Sequence, residues 1–209
     1  ATRGLRVEAD GSAVVWHTAG RWRRLDLERF ELDDVATPPA GLRRAGASDG
    51  ALRVDGWHGT RSPTVNGAPI YLEAGERSLS VDVHAGYGAL FGTDYHLRLF
   101  NRSGSELARR VVASPVWAVA IAPDAEWAVA AHGDGTLRWY SLAPRAPLHE
   151  IMAVFAEADG RRWVAWTPDG RFTHGPYGGE QLVGFLQNGA PGNLTGRWLG
   201  LDQLYRRLY

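Results

Sequence analysis

The feature that most constrains this chain is a turn that returns at nearly constant intervals. Asp10-Gly11, Asp49-Gly50, Ala85-Gly86, Asp124-Ala125 and Asp159-Gly160 follow one another at offsets of 39, 36, 39 and 35 residues. Each pair precedes a short apolar run, at residues 13–16, 51–54, 87–91, 127–131 and 163–166. Small turn residues that break apolar runs of period two mark half-buried antiparallel strands. The clearest unit spans residues 114–142, where Trp117, Val119 and Ile121 alternate with Ala118, Ala120 and Ala122. Further alternating runs follow its turns at residues 123–125 and 133–135. One such unit cannot bury its hydrophobic faces alone, so its neighbours must stack on it.

Three units also share the strand after the next turn. Residues 21–27, 96–101 and 137–142 superpose as RWRRLDL, HLRLFN and LRWYSL. A period near 40 with several strands per unit is the signature of a β-propeller. The expected fold is therefore all-β, with about five blade units. Seven blades at ~40 residues each would need roughly 270 residues. The units are thus expected to belong to a larger ring, whose remaining blades would be partners if another chain carries them. The expected organisation is one blade at 1–32, a loop at 33–50, further blades at 51–175 and a closing segment at 176–209. Asn66-Gly67 reads as a two-residue hairpin turn. Leu201, Leu204, Tyr205 and Leu208 fall at helical spacing, which predicts a short C-terminal amphipathic helix.

The unit at 114–142 strongly resembles one blade of a WD-repeat propeller. The positions of the family's Trp-Asp pair hold Leu25-Asp26, Phe100-Asn101 and Tyr140-Ser141, so one unit of the three keeps the Asp, and the Gly-His pair is absent. Longer segments carry a closer resemblance: NGAPIYLEAGERS at 66–78, GDGTLRWY at 133–140, GRRWVAWTPDGRF at 160–172, GGEQLVGFLQNG at 178–189 and LDQLYRRLY at 201–209. Together they resemble the C-terminal propeller region of bacterial multidomain proteins that pair WD repeats with a caspase-like peptidase domain. The resemblance implies a scaffold or sensor that recruits a protein partner and regulates an effector. The peptidase's catalytic Cys cannot lie in this chain, which has no Cys.

Composition removes several function classes. The 23 basic residues, all Arg, balance 23 acidic ones, so the electrostatic footprint of a nucleic-acid binder is missing. No run approaches the ~18 apolar residues of a membrane-spanning helix, and no signal-peptide pattern is present. Membrane and nucleic acid are not expected partners. Without Cys there are no disulfides, zinc–thiolate sites or cysteine nucleophiles in the chain, which is compatible with the expected cytoplasmic location.

The residues offer no recognisable catalytic constellation. There is no calcium loop, H-E-x-x-H pair, P-loop or G-x-S-x-G, and the seven His residues lack ligand-like spacing. No cofactor or metal is expected, and the chain reads as a non-enzyme. His132, Asp134 and Thr136 surround the tight turn of the best unit and read as a structural hydrogen-bond network. Glu73, Glu76, Asp82 and Asp94 read as ordinary carboxylates rather than a hydrolytic pair. Trp117, Trp127, Trp139, Trp163 and Trp166 read as blade core. Trp57-His58, Tyr87, Asp94 and Tyr95 lie near turns, where propeller rims make contacts, and are the candidate partner-binding residues. A carbohydrate- or peptide-binding module is the alternative, and a propeller hydrolase a more remote one. Fold resemblance cannot choose among them.

Overall fold

The computed structural model describes residues 4–187 and 197–200. Its strands form four blades of a β-propeller ring. Blade 1 holds β1 (Arg6–Val7), β2 (Ala13–Thr18), β3 (Arg21–Asp26) and β4 (Glu31–Val35), with β5 (Arg43–Arg44) paired on the inner side of β1. Blade 2 holds β6 (Ser48–Asp49), β7 (Leu52–Asp55), β8 (Thr64–Val65) and β9 (Ala68–Pro69). Blade 3 holds β10 (Ser78–His84), β11 (Gly88–Thr93), β12 (His96–Phe100) and β13 (Glu106–Val111). Blade 4 is a six-stranded sheet of β14 (Val116–Ile121), β15 (Trp127–His132), β16 (Thr136–Ser141), β17 (Glu150–Ala156), β18 (Trp163–Trp166) and β19 (Phe172–His174). A 3-10 turn (Gly179–Leu182) and a hairpin of β20 (Gly184–Gln187) and β21 (Arg197–Gly200) follow.

The first four repeated turns each join the first strand of a blade to its second. They also tie successive blades together. Asp49 Oδ2 accepts the Ala85 amide at 2.7 Å, and His84 Nε2 lies 3.0 Å from the Pro123 carbonyl oxygen. The fifth repeat behaves differently, and this corrects the expected count of about five units to four. Its turn at Asp159-Gly160 joins β17 to β18, and β18 pairs antiparallel with β17 (Ala153↔Trp166, Val154↔Ala165). The run at 163–166 therefore extends the fourth sheet. The stretch 33–50, expected as a loop, contains the end of β4 together with β5 and β6. Asn66 and Gly67 form the two-residue turn between β8 and β9, with φ of 50° and 80°, the left-handed pair that such a hairpin needs. The expected helix over 201–209 lies outside the described residues.

Each blade is an antiparallel meander, so its turns alternate between the two ends of the ring. The turns after the second strands (19–20, 56–63, 94–95 and 133–135) share one end, here the upper end, with the connections that enter β10 and β14. Gly59 N–H donates to the Ser78 carbonyl and Gly133 N–H to the Pro115 carbonyl, both at 2.8 Å.

Three apolar seams hold the blades together. Leu52, Val54, Val65, Ile70, Val81, Val83, Phe91 and Phe100 fill the seam between blades 2 and 3. Leu90, Leu97, Leu99, Val119, Ile121, Ala128 and Tyr140 fill that between blades 3 and 4. Leu5, Val7, Val14, Leu25, Ala118, Ala120, Trp139 and Trp163 join blade 4 to blade 1. The alternation along β14 explains this division: Val119 and Ile121 face blade 3, while the smaller Ala118 and Ala120 face blade 1. Among the described residues no fourth apolar cluster joins blades 1 and 2. The continuous β5–β6 segment crosses that boundary instead. Among the described residues no helix is long and apolar enough to cross a membrane.

Candidate functional site

The upper end of the ring collects exposed aromatic residues on a rigid frame. The innermost strands β10 and β14 each carry a bulge at the same point, between Ser78 and Ser80 and between Val116 and Ala118. A bulge inserts an unpaired residue and redirects its side chain. In β14 that residue is Trp117, which is 43% exposed where simple alternation puts it in the blade core. Tyr71, in the connection entering β10, is 78% exposed, and Tyr95, in the β11–β12 turn, is 53% exposed.

The candidate rim residues separate into three groups. Trp57 and His58 stack with ring centroids 5.3 Å apart and 19° between their planes. Their loop is pinned to the third blade, because Ser78 N–H donates to the Thr60 carbonyl at 2.8 Å. Asp94 accepts the Arg77 amide at 2.8 Å and its guanidinium at 3.1 and 3.2 Å, which raises the Arg77 pKa. This holds the turn that displays Tyr95. Tyr87 lies at the lower end, where its hydroxyl donates to the Leu142 carbonyl as a strut between blades 3 and 4. Burial raises its phenol pKa. The structure thus brings Trp57, His58, Asp94 and Tyr95 to one end and places Tyr87 at the other.

At the hub lies a cavity of about 410 Å³, lined in part by Trp57 and His58. Its wall includes Arg6, Arg44, Ser80, Val81 and Val119, contributed by β1, β5, β10 and β14. Arg6 and Arg44 are directly opposite one another in the β1–β5 pair. The Arg6 guanidinium sits 4.5 Å from the centroid of Trp22, and its Nε is buried without a hydrogen-bond partner. Burial first and then the Arg44 charge lower the Arg6 pKa.

The buried titratable groups elsewhere are consumed by internal partners. Glu76 accepts Arg98 Nε at 3.0 Å and Arg98 Nη2 at 2.5 Å, together with the Thr93 hydroxyl and the Glu73 amide. Burial would raise this carboxyl, but Arg98, Thr93, the Glu73 amide and His96 outweigh it and hold the pKa down to about 2. Glu73, Glu76 and His96 are close enough to ligate one cation. Both Glu76 oxygens already serve a guanidinium, whose positive charge opposes a metal there. At the β15–β16 turn, Asp134 accepts the Thr136 amide at 2.9 Å and its hydroxyl at 2.6 Å. The Tyr140 hydroxyl lies 3.0 Å from His132 Nε2. Burial foremost, then the Arg138 charge, lowers His132 to about 4. Asp134 and Thr136 fix the turn, while the His132 ring pairs with Tyr140 on the next strand.

Sequence reasoning missed Trp117, Tyr71 and the Arg6–Arg44 pair. The bulge that releases Trp117 depends on pairing with β15, and the arginine pair on a strand contact 38 positions apart. No local signal encodes either. Comparison with protein-family models and with curated proteins finds no match for this chain.

Proposed function

We propose that this propeller is a non-catalytic protein-interaction module that binds its partner at the upper end of the ring. The observation that carries this reading is the gathering of Trp57, Tyr71, Tyr95 and Trp117 at that end, on two bulged inner strands and the loops beside them. Large aromatic side chains on a rigid frame supply contact area at little entropic cost, and such residues dominate interface energetics. The internal pairing of Glu76 with Arg98, Asp82 with Arg43 and His132 with Tyr140 favours a structural over a catalytic use of these groups. The resemblance of several segments to propellers that accompany caspase-like peptidases suggests an effector of that kind as the regulated partner.

The test is site-specific photo-crosslinking in the native host from position 95 or 117, with position 172 at the lower end as the control. The reading expects a defined protein adduct from the upper positions alone. The purified partner should then lose binding to Tyr95→Glu and Trp117→Glu and retain it with Phe172→Glu. Equal loss with Phe172→Glu would refute the assignment to the upper end.

A further inference from the structure

The hub cavity is lined by a cation that the fold leaves unanswered. Among the described residues, twelve arginines make ion pairs, from Arg21 with Asp34 to Arg171 with Asp169. The arginines that have neither an ion pair nor a hydrogen bond are exposed, with Arg6 as the exception. Arg6 is half-buried, and its Nε–H has no acceptor. A buried donor without a partner is destabilising, more so when it is charged. The neighbouring carboxylates do not relieve it: Glu8 is taken by Arg24, Asp82 by Arg43 and Asp34 by Arg21 and Arg23. Arg44 adds a second positive charge on the same side of the β1–β5 pair and has no acidic partner of its own.

We infer that this cavity is a carboxylate-binding pocket that takes an Asp or Glu side chain of a polypeptide partner. The geometry favours that class. The Arg6 guanidinium carbon lies 4.5 Å from the Trp22 ring centroid, and a guanidinium can meet a carboxylate with two parallel N–H groups. Val81 and Val119 form apolar wall beside the charges, suited to the methylene stem of an acidic residue and of no use to a free inorganic anion. At about 410 Å³ the space falls within the range of sites that enclose small ligands. The formal net charge of zero gives no broad positive field, so Arg6 and Arg44 supply the local positive charge of the cavity. Trp57 and His58, at the end proposed for partner binding, also line the cavity. The inference rests on that reading and deepens it.

The experiment is calorimetric titration of the full chain at low salt with a capped hexaglutamate peptide, a capped hexaglutamine peptide and inorganic phosphate. Hexaglutamate should bind and hexaglutamine should not. Arg44→Gln, at an exposed position, should weaken hexaglutamate roughly tenfold or more, and Arg6→Gln should abolish it. Thermal melting of both variants checks that they fold, and Arg44→Gln carries the test if Arg6→Gln does not. Undiminished binding to Arg44→Gln, equal binding of hexaglutamine, or displacement of the peptide by phosphate at matching concentration would each overturn the inference. Loss of the crosslinked partner with peptide binding intact would overturn the upper-end reading alone. A partner that binds at Tyr95 and Trp117 while hexaglutamate does not bind would overturn the pocket alone.

Discussion

Asp82 of β10 receives the guanidinium of Arg43 from β5, 39 residues away, and thereby joins three blades at the hub. The same carboxylate accepts the amides of Ile121 at 2.6 Å, Gly46 at 2.9 Å and Val83 at 2.9 Å. Arg43 in turn donates to the Ile121 carbonyl at 2.8 Å and the Val83 carbonyl at 2.6 Å. Asp82 is fully buried, whereas the Arg43 side chain retains 19% exposure. Removing one member of a buried ion pair costs about 3–5 kcal/mol because the other charge is left unanswered. Asp82→Ala should fall at the upper end of that range, since it also strips three amides of their acceptor. Arg43→Gln should cost less, because the three amides still answer the Asp82 carboxylate that it leaves behind. Urea unfolding measures both, and an Arg43 variant as damaging as Asp82→Ala would contradict this ranking.

The pH profile of stability should have two acidic limbs. His132 is lowered to about 4 in the folded state, from an ordinary value near 6.5. Between those values the unfolded chain binds the extra proton, so stability rises with pH there and is lost as pH falls from about 6.5 to about 4. The upper bound is about 3 kcal/mol. Glu76 is lowered from 4.5 to about 2, so its contribution is present above 4.5 and is lost as pH falls toward 2. Denaturant midpoints measured from pH 7 to pH 2 should decline in both windows. His132→Gln should flatten the first limb and leave the second. A profile of His132→Gln that still declines between pH 6.5 and 4.5 would assign that limb to another group.

Two tryptophans of blade 4 should separate stability from recognition. Trp139 on β16 is 3% exposed and packs in the seam with blade 1, so Trp139→Ala should cost about 3–5 kcal/mol. Trp117, turned outward by its bulge, should change stability by less than about 0.5 kcal/mol when replaced by Ala. Its loss should appear in partner affinity instead. Thermal melts of the two variants beside the partner-binding measurement decide this, and a strongly destabilised Trp117→Ala would return that residue to the core.

These two residues also mark the limits of the sequence. Trp139 is legible as core because its strand obeys period-two alternation within one blade. The first four turn pairs, the strands that follow them and the Asn66-Gly67 hairpin are legible for the same reason, as local patterns with local causes. The Asp159-Gly160 repeat misleads because a turn and an apolar run look alike whether the new strand opens a blade or extends one. Pairing along the outer edge of β17 decides that, and it is a non-local fact. Trp57-His58 and Asp94-Tyr95 could be assigned to turns, but the shared end of Trp57, Tyr95 and Trp117 emerges from blade stacking. The meeting of Arg6 with Arg44 depends on β5 crossing to blade 1 before the chain enters blade 2, which composition and period do not encode.

Gly92 on β11 should be the most demanding glycine of the seam between blades 3 and 4. A Cβ there would stand 2.4 Å from Ser80 Oγ and 2.5 Å from Val116 Cγ1. Neither neighbour can withdraw cheaply: Ser80 donates to the Val116 carbonyl at 2.9 Å, and Val116 is fully buried. The missing side chain is what lets β10 and β14 approach where both are bulged. Gly92→Ala should therefore destabilise by about 1–3 kcal/mol through overpacking, or more if the bulges cannot shift. Gly46 offers the matched control, because a Cβ there would meet nothing nearer than 3.8 Å and its φ is not in the left-handed region. Gly46→Ala should be neutral or stabilising by up to about 1 kcal/mol, through the reduced entropy of the unfolded chain. Urea unfolding of the pair tests the close approach directly. If Gly92→Ala matched Gly46→Ala, the two inner strands would have room to spare, and the rigid frame argued for the upper end would lose its basis.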